Sequence, residues 1–381
     1  MTSGLDRLLP AYARVDLELV RGHGARVWDV AGREYLDFGG GIAVVALGHC
    51  HPAPLAAARA QLERLWHASN LYRTGPAETL ASLLSERFGG AQAFFCNSGA
   101  EAVEAALKYA RKATGKPGVV ALEGSFHGRT LGALSATGQP AKRQAFEPLV
   151  PGVRFVPPND VDTLLEAFGD DVGMVLLEPI LGEGGVIPLT GEFVGAARSL
   201  DALLCLDEIQ AGVGRTGSFF AFEQLGVRPD LVTMAKGLAN GLPIGALLVA
   251  EDAAGAFAPG DHGSTFGGNP VACAAACAVV DAIDEELLAN VLVQGAALAE
   301  GLEALPGVVE VRGRGLLLGA VVDRPAADVV TACRERGLLV LTAGEDVVRL
   351  APPLTIGPAE VEEALTALAA GFAATADLVL A

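Results

Sequence analysis

Cysteine is scarce in this sequence, six in 381 residues, too sparse for a disulfide framework. Cys96 and Cys205 sit in apolar strand-like runs and read as small core residues. His49-Cys50-His51 and the Cys273/Cys277 pair lack a matching second half at zinc-site spacing, so no metal is expected. Positive charge is scarce too: 27 Lys and Arg against 45 Asp and Glu leave a net charge of −18. That argues against nucleic-acid and anionic-membrane partners, which need basic patches, but not against a small anion held by a few inward arginines. No apolar run reaches the ~18–20 residues that span a bilayer. Met1-Thr2-Ser3-Gly4-Leu5-Asp6-Arg7 has no long apolar stretch after a basic start, so no secretory leader is expected. A soluble cytoplasmic protein is the expectation.

The 48 glycines and 21 prolines stay below the share of ~25–30% that marks low-complexity chains. Hydrophobic residues make up 51% and charged residues 19%, so a large core is easily supplied. At ~150 residues per domain the length fits two or three domains, or one large domain with a satellite.

Short apolar runs alternate with helical patterns, the signature of an α/β fold with a mostly parallel sheet covered on both faces. Seven strands are predicted, at Ala93–Cys96, Gly118–Leu122, Arg154–Val156, Gly173–Leu177, Ala202–Leu206, Leu231–Met234 and Gly245–Val249. Several are apolar throughout, as strands buried on both faces are. Helices are predicted at Pro54–Trp66, Ala77–Phe88, Ser98–Ala113 and Asp160–Phe168. Val271–Leu288 reads as one alanine-rich helix. Short strands at Val308–Arg312, Leu316–Val322 and Val347–Leu350 follow, then a closing helix from Pro358. The expected division is a large domain over 46–285 and a smaller α+β domain over 286–381, joined by residues 1–45.

Three sites carry chemistry. Asn97-Ser98-Gly99-Ala100-Glu101 follows a strand and opens a helix, with Ser98 and Glu101 spaced as a capping box. Its exposed first-turn N–H groups and helix dipole suit a phosphate, although an ordinary cap has the same pattern. Asp207 ends the apolar run Leu203-Leu204-Cys205-Leu206, where ligands bind in open α/β sheets, and a carboxylate there needs a cationic partner. Lysine is nearly absent, five of the 27 basic residues. Lys108, Lys112 and Lys116 are spaced by four and suggest a solvated helical face. Lys236 sits at a strand end between apolar residues, and an amine can form a Schiff base where arginine cannot. Gly212-Val213-Gly214-Arg215-Thr216-Gly217 matches the dinucleotide fingerprint in letters, but it lies too far past its strand and beside acidic residues that would repel a pyrophosphate.

A phosphate cup, a carboxylate and a lone lysine at the strand ends of one sheet are the parts that hold pyridoxal phosphate. Here the chain resembles the class III, ornithine-type aminotransferases of pyridoxal-phosphate fold type I. The resemblance runs from about residue 10 to beyond Pro353. It rests on Leu36-Asp37-Phe38, Gly48-His49-Cys50-His51-Pro52, Asn97–Glu101, Phe126-His127-Gly128-Arg129-Thr130, Glu178-Pro179-Ile180 and Asp207–Gln210. Gly214-Arg215-Thr216-Gly217, Lys236-Gly237 and Ser264–Pro270 complete it.

The resemblance implies that Lys236 binds the cofactor and shuttles a proton, that Asp207 pairs with the pyridinium nitrogen, and that Gln210 lies near the ring hydroxyl. It implies Ser98, Gly99 and Ala100 at the phosphate and Phe126 stacked on the ring. Thr265 would reach the phosphate of a neighbouring subunit, with Ser264 close to the substrate, in a homodimer with shared sites. Arg129 and Arg349 are the implied carboxylate clamps, and Glu183 the partner of Arg349 when no glutamate is bound. Leu65–Tyr72, Gly41-Ile42-Ala43-Val44 and the compact length look most like the members acting on N-acetylornithine with 2-oxoglutarate, in arginine biosynthesis. Sister specificities for ornithine or 4-aminobutyrate, or a dialkylglycine-type decarboxylase on the same scaffold, are the alternatives. Val45 departs from the asparagine that the family pattern carries there and is expected to reshape the pocket wall.

Overall fold

The computed structural model describes residues 7–376. Residues 1–6, which carry most of the start read above as leaderless, and residues 377–381 lie outside the described residues. All seven strands predicted for the large sheet form within two residues of their expected bounds, and they pair into one sheet. Its order is Ala91–Cys96, Gly245–Ala250, Leu231–Met234, Leu203–Asp207, Val172–Leu177, Gly118–Leu122, Val153–Val156. Only Gly245–Ala250 runs antiparallel to its neighbours. Val172–Leu177 and Leu231–Met234 are buried at every position. Helices cover both faces, so these strands carry continuous apolar runs rather than alternation.

The parallel direction sets the site. Asn97 and Ser98 follow Cys96, Phe126 and His127 follow the Gly118–Leu122 strand, Glu178 follows Leu177, and Asp207 ends its own strand. Lys236 lies just beyond Met234. Each therefore emerges at the same C-terminal edge, where an open α/β sheet leaves room for a ligand.

The N-terminal strands Leu19–His23, Arg26–Asp29 and Glu34–Asp37 form a second sheet, completed by Leu338–Leu339 in parallel with the third of them. A third sheet joins Val308–Arg314, Leu317–Val322, Val347–Leu350 and Leu341–Thr342, packed by helices Glu285–Glu303, Ala326–Glu335 and Pro358–Ala374. The single helix expected over 271–288 is two, Pro270–Ala282 and Glu285–Glu303. Ile283 leaves the helical region (φ −84, ψ 79), and the Asp284 side chain accepts from the Leu287 N–H at 2.8 Å, so an N-cap starts a new helix where apolar periodicity alone continues.

The fingerprint-like run Gly212–Gly217 is a buried joint. Arg215 inside it donates to the Leu316 carbonyl at 3.1 Å and to the Pro352 carbonyl, and burial lowers its pKa to about 9. No described helix of the molecule is long and apolar enough to cross a membrane. No group of three or more His, Cys, Asp or Glu among the described residues could hold a metal.

Candidate active site

A cavity of about 410 Å³ opens at the C-terminal edge of the large sheet. Ser98, Gly99 and Ala100 form one wall, Phe126, His127, Gly128 and Arg129 another, and Ala235 with Lys236 the floor. The helix Gly99–Thr114 begins at the first wall, and the Ser98 hydroxyl accepts from the Glu101 N–H at 3.2 Å. The Glu101 carboxylate returns to the Asn97 backbone and side-chain amides, one residue further back than a capping box requires. First-turn N–H groups have no partner within their own helix, so those at this wall can take an anion. Gly99 is needed here: a Cβ on it would lie 2.7 Å from Ile209 Cδ1, another lining residue.

Asp207 has the cation its burial demands, and the sequence reading did not name it. His127 Nδ1 lies 2.6 Å from Asp207 Oδ2, with both side chains buried. Thr233 Oγ1 and the Ile209 N–H donate to the other oxygen, each at 3.1 Å. Burial works to lower the His127 pKa, but the bond and charge of Asp207, helped by Glu178, carry it above its ordinary value. His127 Nε2 is buried without a partner. The signal was present in Phe126-His127-Gly128: a carboxylate at a buried strand end requires a cation, and this histidine was the candidate within the quoted motifs.

Glu178 was likewise quoted only as a motif letter. It is buried, accepting from the Phe126 N–H at 2.8 Å and the Gly182 N–H at 3.1 Å. Burial, with the Asp207 charge, pushes its pKa up to about 7.

Lys236 stands in the left-handed region at φ +45, a conformation that costs a non-glycine residue of order 1 kcal/mol and is retained where surroundings over-determine it. Burial lowers its pKa below the ordinary lysine value, and nearby Arg349 adds to this, while Glu183, Glu178 and Asp207 oppose it. A lysine so placed is closer to the free-amine form that attacks carbonyls.

Arg349, 2% exposed, lies behind the cavity. Its Nη1 donates to Glu183 Oε1 at 2.6 Å, to the Gly182 carbonyl at 2.8 Å and to Gln210 Oε1 at 2.9 Å, while Nε is buried without a partner. The Arg349–Glu183 pair is thus present. Burial opposes ionisation of Glu183, but the charge and bond of Arg349 hold its pKa below the ordinary value.

The structure does not bring every expected residue to this cavity. Gln210 turns its amide oxygen to Arg349 and does not line the cavity, which differs from a place beside the ring. Ser264 lies next to Asn97, whose Nδ2 donates to its hydroxyl at 3.1 Å, and Thr265 is exposed on the outer surface. The wall near the glycine-rich turn is Val44 rather than Val45. Lys108 and Lys112 are exposed on the Gly99–Thr114 helix, as a solvated face requires, and reach Asp261; Lys116 lies beyond the helix end and reaches Asp201.

The residues present fit pyridoxal phosphate. The cavity joins a helix start at Gly99, an apolar ring at Phe126, a lysine with lowered pKa and His127, while Asp207 does not line it and is bonded to that histidine from behind. The family model described as Aminotransferase class-III matches residues 10–372.

This chain belongs to the class-III aminotransferases.

Members of this family use pyridoxal phosphate, and so does this transaminase. The acetylornithine aminotransferase of Mycolicibacterium smegmatis is 52% identical over 368 residues, 94% of each chain. Among solved structures, N-acetylornithine aminotransferase from Stenotrophomonas maltophilia superposes with a TM-score of 0.84 at 41% identity, covering 96% of this chain and 98% of that one. The ornithine aminotransferase of Toxoplasma gondii, crystallised with partial occupancy of PLP at its active site, gives a TM-score of 0.92 at 35% identity, with 98% and 94% covered. The class-III fold is therefore that of pyridoxal-phosphate-dependent transferases.

Proposed function

We propose that this class-III aminotransferase transfers the terminal amino group of N-acetylornithine to 2-oxoglutarate, a step of arginine biosynthesis. The observation that carries the two-substrate reading is Arg349, paired with Glu183 just behind a lysine-floored cavity. A guanidinium matches a carboxylate in two hydrogen bonds, whereas a glutamate bound to it neutralises it for a substrate end that bears no charge. Relatives at about 50% identity that carry the acetylornithine name support this choice of donor.

Bound pyridoxal phosphate supplies an aldehyde that captures amines and a protonated ring that draws electrons from the substrate carbon. Lys236 holds the cofactor and moves a proton at that carbon. Asp207, fixed by His127 and Thr233, keeps the ring nitrogen protonated. Ser98, Gly99 and Ala100 hold the phosphate, and Phe126 covers one ring face. Arg129 takes a second substrate carboxylate. Gln210 is held by Arg349 and helps to keep that guanidinium in place.

The reading extends to a cytoplasmic homodimer in which Thr265 and Ser264 approach a site shared between subunits, and to a division into 1–45, 46–285 and 286–381. Exposed Thr265, with Phe266 beside it at 61% exposure, supports a partner at that surface. The test titrates the cofactor-loaded protein with N-acetylornithine, ornithine and 4-aminobutyrate. N-acetylornithine is expected to bleach the cofactor band at the lowest concentration, and saturation first by ornithine or 4-aminobutyrate would move the enzyme to that sister activity.

A further inference from the structure

Four of the five lysines are accounted for by the aspartate contacts above and by Lys236; the fifth, Lys142, is not. It lies within the short helical turn Pro140–Arg143, and its ammonium sits 5.4 Å from the centre of the Phe126 ring, a wall of the cavity. Its one hydrogen bond among the described residues goes to Gln139 Oε1, a neutral acceptor. Gln139 in turn donates to the Gly124 carbonyl at 3.0 Å. The Gly124 carbonyl abuts the residue after Glu183: a Cβ on Gly184 would fall 2.5 Å from that oxygen. Glu178 closes the same seam from inside by accepting from both Phe126 and Gly182. The segments bearing Lys142 and Glu183 are therefore linked through Gly124, which touches both.

On the Arg349 side the hydrogen-bond count is overfull. Nη1 carries two hydrogens and faces three acceptors, Glu183, the Gly182 carbonyl and Gln210. If Glu183 leaves, two acceptors remain for two hydrogens, so the arginine stays held in place. Glu183 is the surplus partner, and its half-buried side chain precedes two glycines, the second at φ +99. A half-buried carboxylate displaced from its guanidinium is costly unless it finds another cation. The cations whose charge reaches Glu183 are Arg349, Lys236 and Lys142; the first is assigned to a substrate carboxylate and the second to the cofactor, which leaves Lys142.

We propose that Lys142 is the positioning residue that receives Glu183 when a substrate carboxylate takes Arg349. The inference rests on the two-substrate reading above. Lys142 acts through Glu183 and touches no substrate. Its charge already reaches Glu183 and helps to hold that carboxylate below its ordinary pKa, in line with this role.

The test uses the cofactor-loaded enzyme and measures the two half-reactions separately. Lys142→Met is expected to raise the KM for 2-oxoglutarate about tenfold, the loss of roughly one displaced ion pair, and to change that for N-acetylornithine less than twofold. Lys142→Arg should restore most of the difference. In a Glu183→Gln background, which has no charge to receive, Lys142→Met should add less than a twofold effect. An equal rise for both substrates, or a tenfold effect that persists in that background, would overturn the proposal, the second by showing direct contact with substrate. Failure of the unmodified enzyme to use 2-oxoglutarate at all would instead count against the parent reading.

Discussion

At the residue scale the site is a set of charges that burial would make expensive singly and that are stable in groups. Asp207 and His127 neutralise each other at 2.6 Å, and Arg349 gathers Glu183, Gln210 and a carbonyl. Lys236 is held with lowered pKa in a left-handed backbone conformation. Lys236→Ala is expected to drop turnover at least about a thousandfold and remove the visible absorbance of the bound cofactor, because no other lysine lines the cavity. Both follow from one spectrum and one steady-state assay. Glu178 gives a pH prediction. Its carboxyl titrates at about 7 in the folded protein against an ordinary 4.5, so between those values the folded state binds a proton that the unfolded chain has lost. Stability therefore falls as pH rises through that window, by up to about 1.4 kcal/mol per unit. His127, whose pKa is also raised, acts in the same direction. Thermal unfolding between pH 4.5 and 7.5 should show the slope, and Glu178→Gln should flatten it; an unchanged slope would assign the effect elsewhere.

At the scale of elements, the parts that local pattern governs were legible. Strands buried on both faces declare themselves as apolar runs, and the helix after Cys96 declares itself by Ser98 and a terminal glycine, Gly115 at φ +70. The reading failed where two helices share one apolar pattern. The non-helical Ile283 and the capping bond of Asp284 separate Pro270–Ala282 from Glu285–Glu303, and an Asp among the acidic residues of 281–286 does not announce itself as a cap. Asp284→Ala should destabilise the protein by about 1 kcal/mol, seen as a lower denaturant midpoint with an unchanged slope. The fingerprint-like glycine run delivers Arg215 to carbonyls of Leu316 and Pro352, a long-range matter that its letters do not announce.

At the scale of the whole molecule, one region of surface stands out as ill-suited to water. Leu71 is 87% exposed, Tyr72 73%, Trp66 69% and Phe266 61%. His67 and Phe266 rings lie 5.4 Å apart, so the 65–72 segment and the Ser264–Pro270 loop form one apolar surface beside the site residues Asn97 and Ser264. Apolar area of this kind marks an interface, and in the proposed homodimer it would be covered by the second copy. Leu71→Asp places a charge there. Sedimentation should show a shift toward monomer, with activity per chain falling in step and rising again at high protein concentration. A variant that stays dimeric and active would remove this surface from the interface.

The amino-acid sequence by itself determined the strand and helix types and the α/β class, through short-range pattern such as buried runs and a cap. The resemblance carried by its motifs added the family and, with it, the cofactor. Tertiary structure alone decided who pairs with whom. His127 meets Asp207 across 80 positions, Arg349 meets Gln210 across 139 and Glu183 across 166. Those meetings follow from strand order in the large sheet and from the packing of the C-terminal sheet against it. The same packing turned Gln210 toward an arginine. Burial, and with it every shifted pKa, belongs to the assembled molecule, because desolvation of one side chain is produced by neighbours that the chain brings from far away.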